Sequence, residues 1–413
     1  MEYRNYQIAI IEKGTDILKK HGLLYLAMEV RTGKTLTSLG ICEEMGASSV
    51  LFLTKKKAMS SIVADNEMLH PSFELTVINY ESMHKLPKQK WDIIVCDEAH
   101  SMGAFAPANN RAKHVKALIA RNNCDLILLS GTPTPESFSQ IYHQVYGHPN
   151  NPFSQYKNFY RWADDYVKVK QRKINGNYIN DYSNAIESKV LEAMKPYTIS
   201  YTQKEAGFES EVEEEVLYVP MEHLTYKMCA MLRNDHLVQG SDEVILADTA
   251  AKMMGKLHQM YSGTVIFESG KAQILDYSKA VFIAKKFYEK KIAIFYKFKQ
   301  ELQAIKEVYP DFRITEDIDE FNSDPNKSIA LQIVSGREGI SLRNAEYIVY
   351  YNIDFSATSY WQSRDRMTTK DRRYNKIYWV FAEDGIEDMI YKAVNSKKNY
   401  TVKHFKNDLF KLL

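Results

Sequence analysis

Two adjacent carboxylates, Asp97 and Glu98 in Val95-Cys96-Asp97-Glu98-Ala99-His100, close an apolar run downstream of Glu29-Val30-Arg31-Thr32-Gly33-Lys34-Thr35 and upstream of Ser130-Gly131-Thr132-Pro133. Each segment supplies one part of phosphoryl-transfer chemistry. The backbone N–H groups of a tight loop entering a helix cradle an anion, and Lys34 adds a compact positive charge for the phosphates. The Thr35 hydroxyl and the Asp97 carboxylate are the pair that would hold Mg2+, and Glu98 is the residue to position an attacking water. With Arg31, Thr32 and Gly33 lining the loop, these residues predict ATP hydrolysis with Mg2+ as the metal.

The loop departs from the common Gly-x-x-x-x-Gly-Lys-Thr pattern, because Met28 stands where the first glycine is expected and Arg31 where another is frequent. A Gly-Lys-Thr triplet also occurs at ordinary helix starts, and an acidic pair at a strand end is often only solvated. The order of the three segments decides for chemistry over those readings.

Elements must bring these groups together. Residues 1–140 alternate a helical pattern with apolar runs at 23–27, 50–54, 75–78, 93–97 and 126–130. Short apolar runs separated by helical stretches predict a parallel sheet whose functional groups gather at the carboxyl ends of the strands. From 141 to 265 aromatic-rich helices follow, with a hairpin expected at 166–179, turning at Asn175-Gly176. The acidic run 209–215 reads as an exposed connector. A second alternating region has strand candidates at 292–296, 330–334, 347–351 and 377–381. The expected fold class is α/β, with an ATP-binding domain over 1–140, a helical middle region over 141–265, and a second domain over 266–413 ending in a helical tail.

The totals fit a globular protein: 413 residues, 45% hydrophobic, with 28 Tyr and 18 Phe. A net charge of +2 neither demands nor excludes a nucleic-acid partner. Cys42, Cys96, Cys124 and Cys229 form no Cys-x-x-Cys pair and sit mostly among apolar neighbours, which points to a reducing compartment. No window approaches a membrane span and the amino terminus lacks a signal-peptide core. The expectation is a cytoplasmic protein of a bacterial or phage-infected cell, without a membrane partner. The histidines are scattered without metal-ligand spacing. Asp181 with Glu187-Ser188-Lys189 superficially suggests a nuclease site, but it lies in a helical stretch without the strand that such a site needs.

Taken in order, the segments resemble the superfamily 2 helicases and translocases, particularly the Swi/Snf-type branch and its small phage and bacterial relatives. Tyr6-Gln7 is similar to the adenine-reading glutamine motif, residues 29–35 to motif I, 51–55 to Ia, Asn79-Tyr80-Glu81 to Ib, 97–100 to II and 130–133 to III. Further along, 292–296 resembles motif IV, 335–342 motif V, and Asn352-Ile353-Asp354-Phe355-Ser356 followed by Gln362-Ser363-Arg364-Asp365-Arg366 the segment leading through motif VI. The resemblance implies two RecA-like parallel-sheet domains in tandem, joined by a helical insertion and connector. Gln7 would contact the base, and Gly339 and Gln362 would reach the nucleotide from the second lobe. Arg366 would be the arginine that stabilises transition-state charge. Thr369 occupies the place of the usual second arginine, which leaves Arg364, Arg372 and Arg373 as substitutes.

Nucleic-acid contacts in such motors go mainly to the sugar–phosphate backbone, which positions without specifying. Thr54, Lys55 and Tyr80 on the first lobe and Ser335 and Arg337 on the second are the candidates, joined by Lys168, Lys170, Arg172 and Lys173 on the hairpin arm. The aromatic residues of 153–162 read as a core stripe, although aromatics interleaved with basic groups also stack bases. The leading expectation is a DNA-stimulated ATPase that translocates on or remodels DNA, with duplex preferred, single strands possible and RNA less favoured. The alternatives are a strand-separating DNA or RNA helicase and a nucleotide-switched clamp with weak hydrolysis.

Overall fold

The apolar runs of the first half become strands because they are screened on both faces, as a parallel sheet between helical layers requires. The computed structural model describes residues 3–135, 137–174, 177–207, 211–240, 242–310, 312–336, 342–364 and 374–396. The chain divides into two units, Met1–Phe208 and Glu209–Leu413.

The first unit runs α1 (Asn5–His21), β1 (Leu23–Met28), α2 (Lys34–Glu44), β2 (Ser49–Thr54), α3 (Met59–Leu69), β3 (Glu74–Asn79), β4 (Ile93–Cys96), α4 (Asn110–Asn122) and β5 (Asp125–Leu129). It continues with α5 (Ile141–Val145), α6 (Phe159–Tyr166), β6 (Lys170–Ile174), β7 (Asn177–Asp181), α7 (Glu187–Met194) and β8 (Thr198–Tyr201). The sheet order is β3-β2-β4-β5-β1-β8 and every pairing is parallel. Alternate residues feed two cores. Leu24, Leu26, Val50, Phe52 and Ile127 pack with Ile10, Leu18, Leu39 and Ile62, whereas Tyr25, Leu51, Leu53, Ile94 and Leu128 pack with Val115, Tyr142 and Trp162. Phe153, Phe159 and Trp162 are buried, which makes the aromatic stripe core, and Tyr160 alone of that stretch is largely exposed. Strands β6 and β7 form the expected antiparallel hairpin, in register from Lys170↔Asp181 to Ile174↔Asn177, with the turn at 175–176 outside the described residues.

The second unit contains β9 (Glu211–Val219), α8 (His223–Asp235), β10 (Leu237–Gln239), β11 (Val244–Leu246), α9 (Ala250–Tyr261), β12 (Thr264–Ile266), β13 (Ala272–Ile274) and α10 (Ser278–Lys286). Then come β14 (Ile292–Tyr296), α11 (Lys299–Val308), β15 (Ile314–Thr315), α12 (Ile318–Ser323), β16 (Ser328–Gln332), α13 (Ile333–Gly336), β17 (Tyr347–Tyr350), α14 (Ala357–Arg364), β18 (Tyr374–Ala382) and α15 (Glu387–Asn395). Its six-stranded sheet, ordered β15-β16-β14-β17-β18-β9, is again wholly parallel. The α/β class with two parallel-sheet units in tandem is therefore as expected. No described helix is long and apolar enough to cross a membrane.

One expectation fails. The acidic run is not an exposed connector from residue 211 onward, because β9 lies along β18 over its whole length. Its charges are matched across the ladder: Lys376 pairs with Glu213 at 3.2 Å and Glu215 at 2.7 Å. Glu214 turns inward and accepts from Trp379 Nε1 at 2.9 Å, the Tyr360 hydroxyl at 2.9 Å and the Tyr391 hydroxyl at 3.2 Å.

Candidate nucleotide site

Between the end of β1 and the start of α2 the chain makes a tight turn that leads into the helix, as expected. Arg31 (φ 63°) and Gly33 (φ 81°) both take left-handed backbone, which costs a non-glycine residue on the order of 1 kcal/mol. A Cβ at Gly33 would also press on the Gln7 amide and displace it, which with the positive φ favours glycine there. Gln7 is 4% exposed. Its Oε1 accepts from Arg4 N at 3.0 Å, and its Nε2 lies 3.4 Å from Gly33 O and 3.5 Å from Thr37 Oγ1. Neighbouring Tyr6 donates its hydroxyl to Thr32 O at 3.0 Å. Buried Thr32 closes the turn on Glu29 O at 2.7 Å, and Lys34 Nζ reaches the same carbonyl at 3.1 Å. Thr35 follows in the first turn of α2.

Asp97 and Glu98 leave the carboxyl end of β4, on the same edge of the sheet. Asp97 Oδ2 accepts from Thr54 Oγ1 at 2.8 Å, and its carbonyl accepts from the Tyr80 hydroxyl at 2.7 Å. Burial, then the charge of Glu98, push the Asp97 pKa up to about 6 against the opposing pull of Thr54 and Lys34. Burial acts on Glu98 in the same direction, but the hydrogen bond and charge of His100, with Lys34 and Lys55, outweigh it and hold Glu98 well below the usual range. Of two adjacent carboxylates, Glu98 thus keeps its charge readily and Asp97 is the harder to ionise. A divalent cation beside Asp97 would reverse that penalty. The donor set of Asp97 carboxylate and Thr35 hydroxyl consists of hard oxygens that suit Mg2+, with phosphate and water completing its shell. Among the described residues no cluster of three or more His, Cys, Asp or Glu competes for a metal.

Glu98 is itself left-handed (φ 50°). Of the other non-glycine residues with positive φ, His70, Asn123 and His236 terminate helices, where such backbone is usual, and Asp384 sits in the turn after β18, where a short Asp side chain tolerates it. Arg31 and Glu98 have no such excuse, and strained backbone gathers at functional sites.

A polar chain runs beneath the pair. His100 Nδ1 lies 3.2 Å from Glu98 Oε2 and 3.1 Å from Ser130 Oγ, which also accepts from Thr132 N. Ser130 hydrogen-bonds the buried Tyr25 hydroxyl, which donates to Gln144 Oε1 at 2.7 Å, and Gln144 Nε2 donates to Pro133 O at 2.9 Å. Gly131 packs on the β1–α2 loop: a Cβ there would sit 3.4 Å from Val30 N and 3.5 Å from Lys34 Nζ. The loop, the acidic pair and the Ser-Gly-Thr-Pro segment are therefore one physical site. Tyr25, Gln144 and Gln203, which binds the loop from its other side, carry no sequence signal that would have marked them.

The family model of the SNF2-related domain matches residues 47–262, just over half of the chain and including Asp97, Glu98 and Ser130. The chain belongs to the SNF2-related family. A probable ATP-dependent helicase of Plasmodium falciparum is 22% identical to it over 139 residues, which cover 32% of this chain. The SNF2-related chain spans only 6% of the length of that curated relative. Among solved structures it is similar to the Sulfolobus solfataricus SWI2/SNF2 ATPase core in complex with dsDNA (TM-score 0.43, 14% identity, 99% of this chain and 93% of that one). It is also similar to the Sulfolobus solfataricus SWI2/SNF2 ATPase core domain (TM-score 0.42, 15% identity, 100% and 90%).

The residues expected to meet nucleic acid in this SNF2-related chain are dispersed. Thr54 and Tyr80 are buried and support Asp97 instead of facing outward, because the strand ends that carry them turn their hydroxyls toward the acidic pair. Lys55 is partly exposed next to Thr54. Lys168 and Lys170 are exposed at the base of the hairpin; Arg172 and Lys173 lie on β6, with side chains outside the described residues. In the second unit Ser335 lies in α13 and Gln362 and Arg364 in α14. Arg337, Gly339, Arg366, Arg372 and Arg373 fall outside the described residues altogether.

Proposed function

We propose that the chain is an ATP-dependent motor that translocates on or remodels duplex DNA. Membership of the SNF2-related family supports an ATPase, and the observation that carries the reading is the convergence of Lys34, the Asp97–Glu98 pair and the His100–Ser130 contact on one sheet edge. In this reading the loop amides, Arg31, Thr32, Gly33 and Lys34 hold the phosphates, and Gln7 borders the base. Thr35 and Asp97 hold Mg2+, which would screen phosphate charge. Glu98, ionised at neutral pH, orients the water, and Gly339, Gln362 and Arg366 are the candidates of the second unit for the nucleotide. Lys55, Lys168, Lys170, Arg172, Lys173, Ser335 and Arg337 contact DNA phosphates.

The duplex-bound state of one of the similar cores fits the choice of DNA. The test is ATP turnover measured without nucleic acid, with single strands and with duplex. The expected result is strong stimulation by duplex; preference for single strands or RNA moves the reading to a strand-separating helicase. The strained Arg31 in the phosphate loop favours one other reading, a nucleotide-switched clamp, which nucleotide binding with negligible turnover in all three conditions would establish.

A further inference from the structure

The last turn of the first unit is hydrogen-bonded to the phosphate loop. Glu29 N donates to Tyr201 O at 2.9 Å, Gln203 N to Glu29 Oε2 at 2.7 Å, and Gln203 Nε2 to Val30 O at 3.0 Å. The turn is rigid in its own right: Thr202 N and Oγ1 both donate to Glu205 Oε2 at 2.7 Å, the Tyr201 hydroxyl donates to Glu205 O at 2.9 Å, and Ala206 N donates to Thr202 O at 3.1 Å. Sequence places it immediately before residues 208–210, where the chain passes to the second unit.

We propose that Gln203 is a positioning residue of the nucleotide site, resting on the reading that this loop binds ATP phosphates. In a trans peptide the carbonyl of one residue and the N–H of the next point in opposite directions. Holding Val30 O on Gln203 therefore directs Arg31 N–H to the opposite face of the loop. The same logic applies further along the loop, where Tyr6 holds Thr32 O and so directs Gly33 N–H. Strands β5 and β8 flank β1, so the loop is gripped by Gly131 on one side and by Gln203 on the other. That grip answers a need specific to this loop. A glycine at position 31 would adopt positive φ without strain, whereas Arg31 at 63° stays there only while its surroundings over-determine it. The amide of Gln203 supplies part of that constraint, and it ties the constraint to the root of the connector.

The test uses the full chain, with steady-state ATP hydrolysis in saturating DNA and calorimetric binding of MgADP. Gln203→Ala raises KM and the MgADP Kd about three- to tenfold, the scale of one hydrogen bond, while kcat stays within about twofold and the thermal midpoint is unchanged. Gln203→Met, close in size and uncharged but with no N–H to donate, gives the same loss, which a packing role would not produce. In an Arg31→Gly background the Gln203→Ala effect shrinks by at least about threefold. Unchanged MgADP affinity in Gln203→Ala, full affinity in Gln203→Met, or an undiminished effect in the Arg31→Gly background overturns the proposal. Failure of the wild-type chain to bind MgADP is a different result, which removes the nucleotide reading itself.

Discussion

His100 Nδ1 lies 3.1 Å from Ser130 Oγ, so the segment that carries the acidic pair and the segment that follows β5 meet at one ring nitrogen. Glu98 Oε2 competes for the same nitrogen at 3.2 Å. A change at either oxygen must be felt by the other. Replacing His100 by Ala removes the group that holds Glu98 ionised and leaves Ser130 one partner short. Turnover is expected to fall ~10- to 100-fold, equivalent to ~1.4–2.7 kcal/mol, with MgATP binding within about twofold. Steady-state kinetics beside calorimetry measures both, and parallel loss of binding would contradict the assignment.

Asp97 must be ionised to hold a cation. With its pKa raised to about 6, the affinity for MgATP should fall as pH drops through that value, and kcat/KM for the free enzyme should show an acid limb there. Glu98→Gln removes one cause of the shift, so in that variant the binding limb moves to lower pH. For folding the sign is opposite to that of an ordinary salt-bridged acid. The native state takes up a proton at Asp97 more readily than the unfolded chain, so this group favours folding below pH about 3.8. That contribution is lost as pH rises through about 6. Binding titrations from pH 5 to 8 without a limb would discount the role given to Asp97.

Lys34 and Glu98 should separate binding from chemistry. Lys34→Ala weakens MgATP binding by at least ~10-fold because a phosphate charge partner is gone, while Glu98→Gln binds normally and retains at most a few per cent of turnover. Single-turnover experiments with each variant decide the matter. Wild-type rates in Glu98→Gln would refute its water-positioning role.

The basic hairpin is expected to act through phosphates. Charge reversal at Lys168, Lys170, Arg172 and Lys173 should reduce duplex-stimulated turnover, and it should flatten the dependence of log affinity on log salt by ~0.9 for each phosphate no longer neutralised. Basal turnover without DNA should not change. An unaltered salt slope would assign these residues to solvent.

Glu214 is the acceptor for three donors from β18, α14 and α15. Glu214→Ala removes the acceptor of the Trp379 indole N–H and of the Tyr360 and Tyr391 hydroxyls, although Tyr360 keeps Asn395 Oδ1 at 3.2 Å, and is expected to destabilise the second unit by ~2–4 kcal/mol. Glu213→Ala, at an exposed ladder pair, should cost under about 1 kcal/mol. Equal midpoints in chemical denaturation would show that the inward carboxylate is not the anchor.

Periodicity made the first sheet legible: the apolar runs ending near Ala27, Thr54, Ile78, Asp97 and Ser130 are its first five strands, because a strand buried on both faces writes itself as an uninterrupted apolar run. The chemical groups of the first unit were legible for a related reason, since Lys34, Asp97 and Glu98 follow directly from those runs. What periodicity hides is pairing with distant partners. Glu213 and Glu215 look like solvated charge until Lys376 is set beside them, and Gln144 and Gln203 acquire meaning only through folding that brings them to Tyr25 and Val30. Thr54 and Tyr80 differ from expectation for the same reason: the resemblance put both among the nucleic-acid contacts, whereas their hydroxyls serve Asp97. The strand expected at 330–334 lies two residues earlier, because β16 ends at Gln332 and Ile333 opens a helix.

The register of β9 against β18, from Glu211↔Tyr374 to Val219↔Ala382, also sets an order of assembly. During synthesis the ribosome must release nearly the whole second half before the earliest strand of that half finds its neighbour, so this union closes the longest loop of the sheet and comes late. Until then the strand is a ribbon of like charges that repel one another and discourage docking with other nascent chains. The glutamates that end as ladder partners thus first serve as a guard on a strand that stays unpaired while residues 220–373 are made.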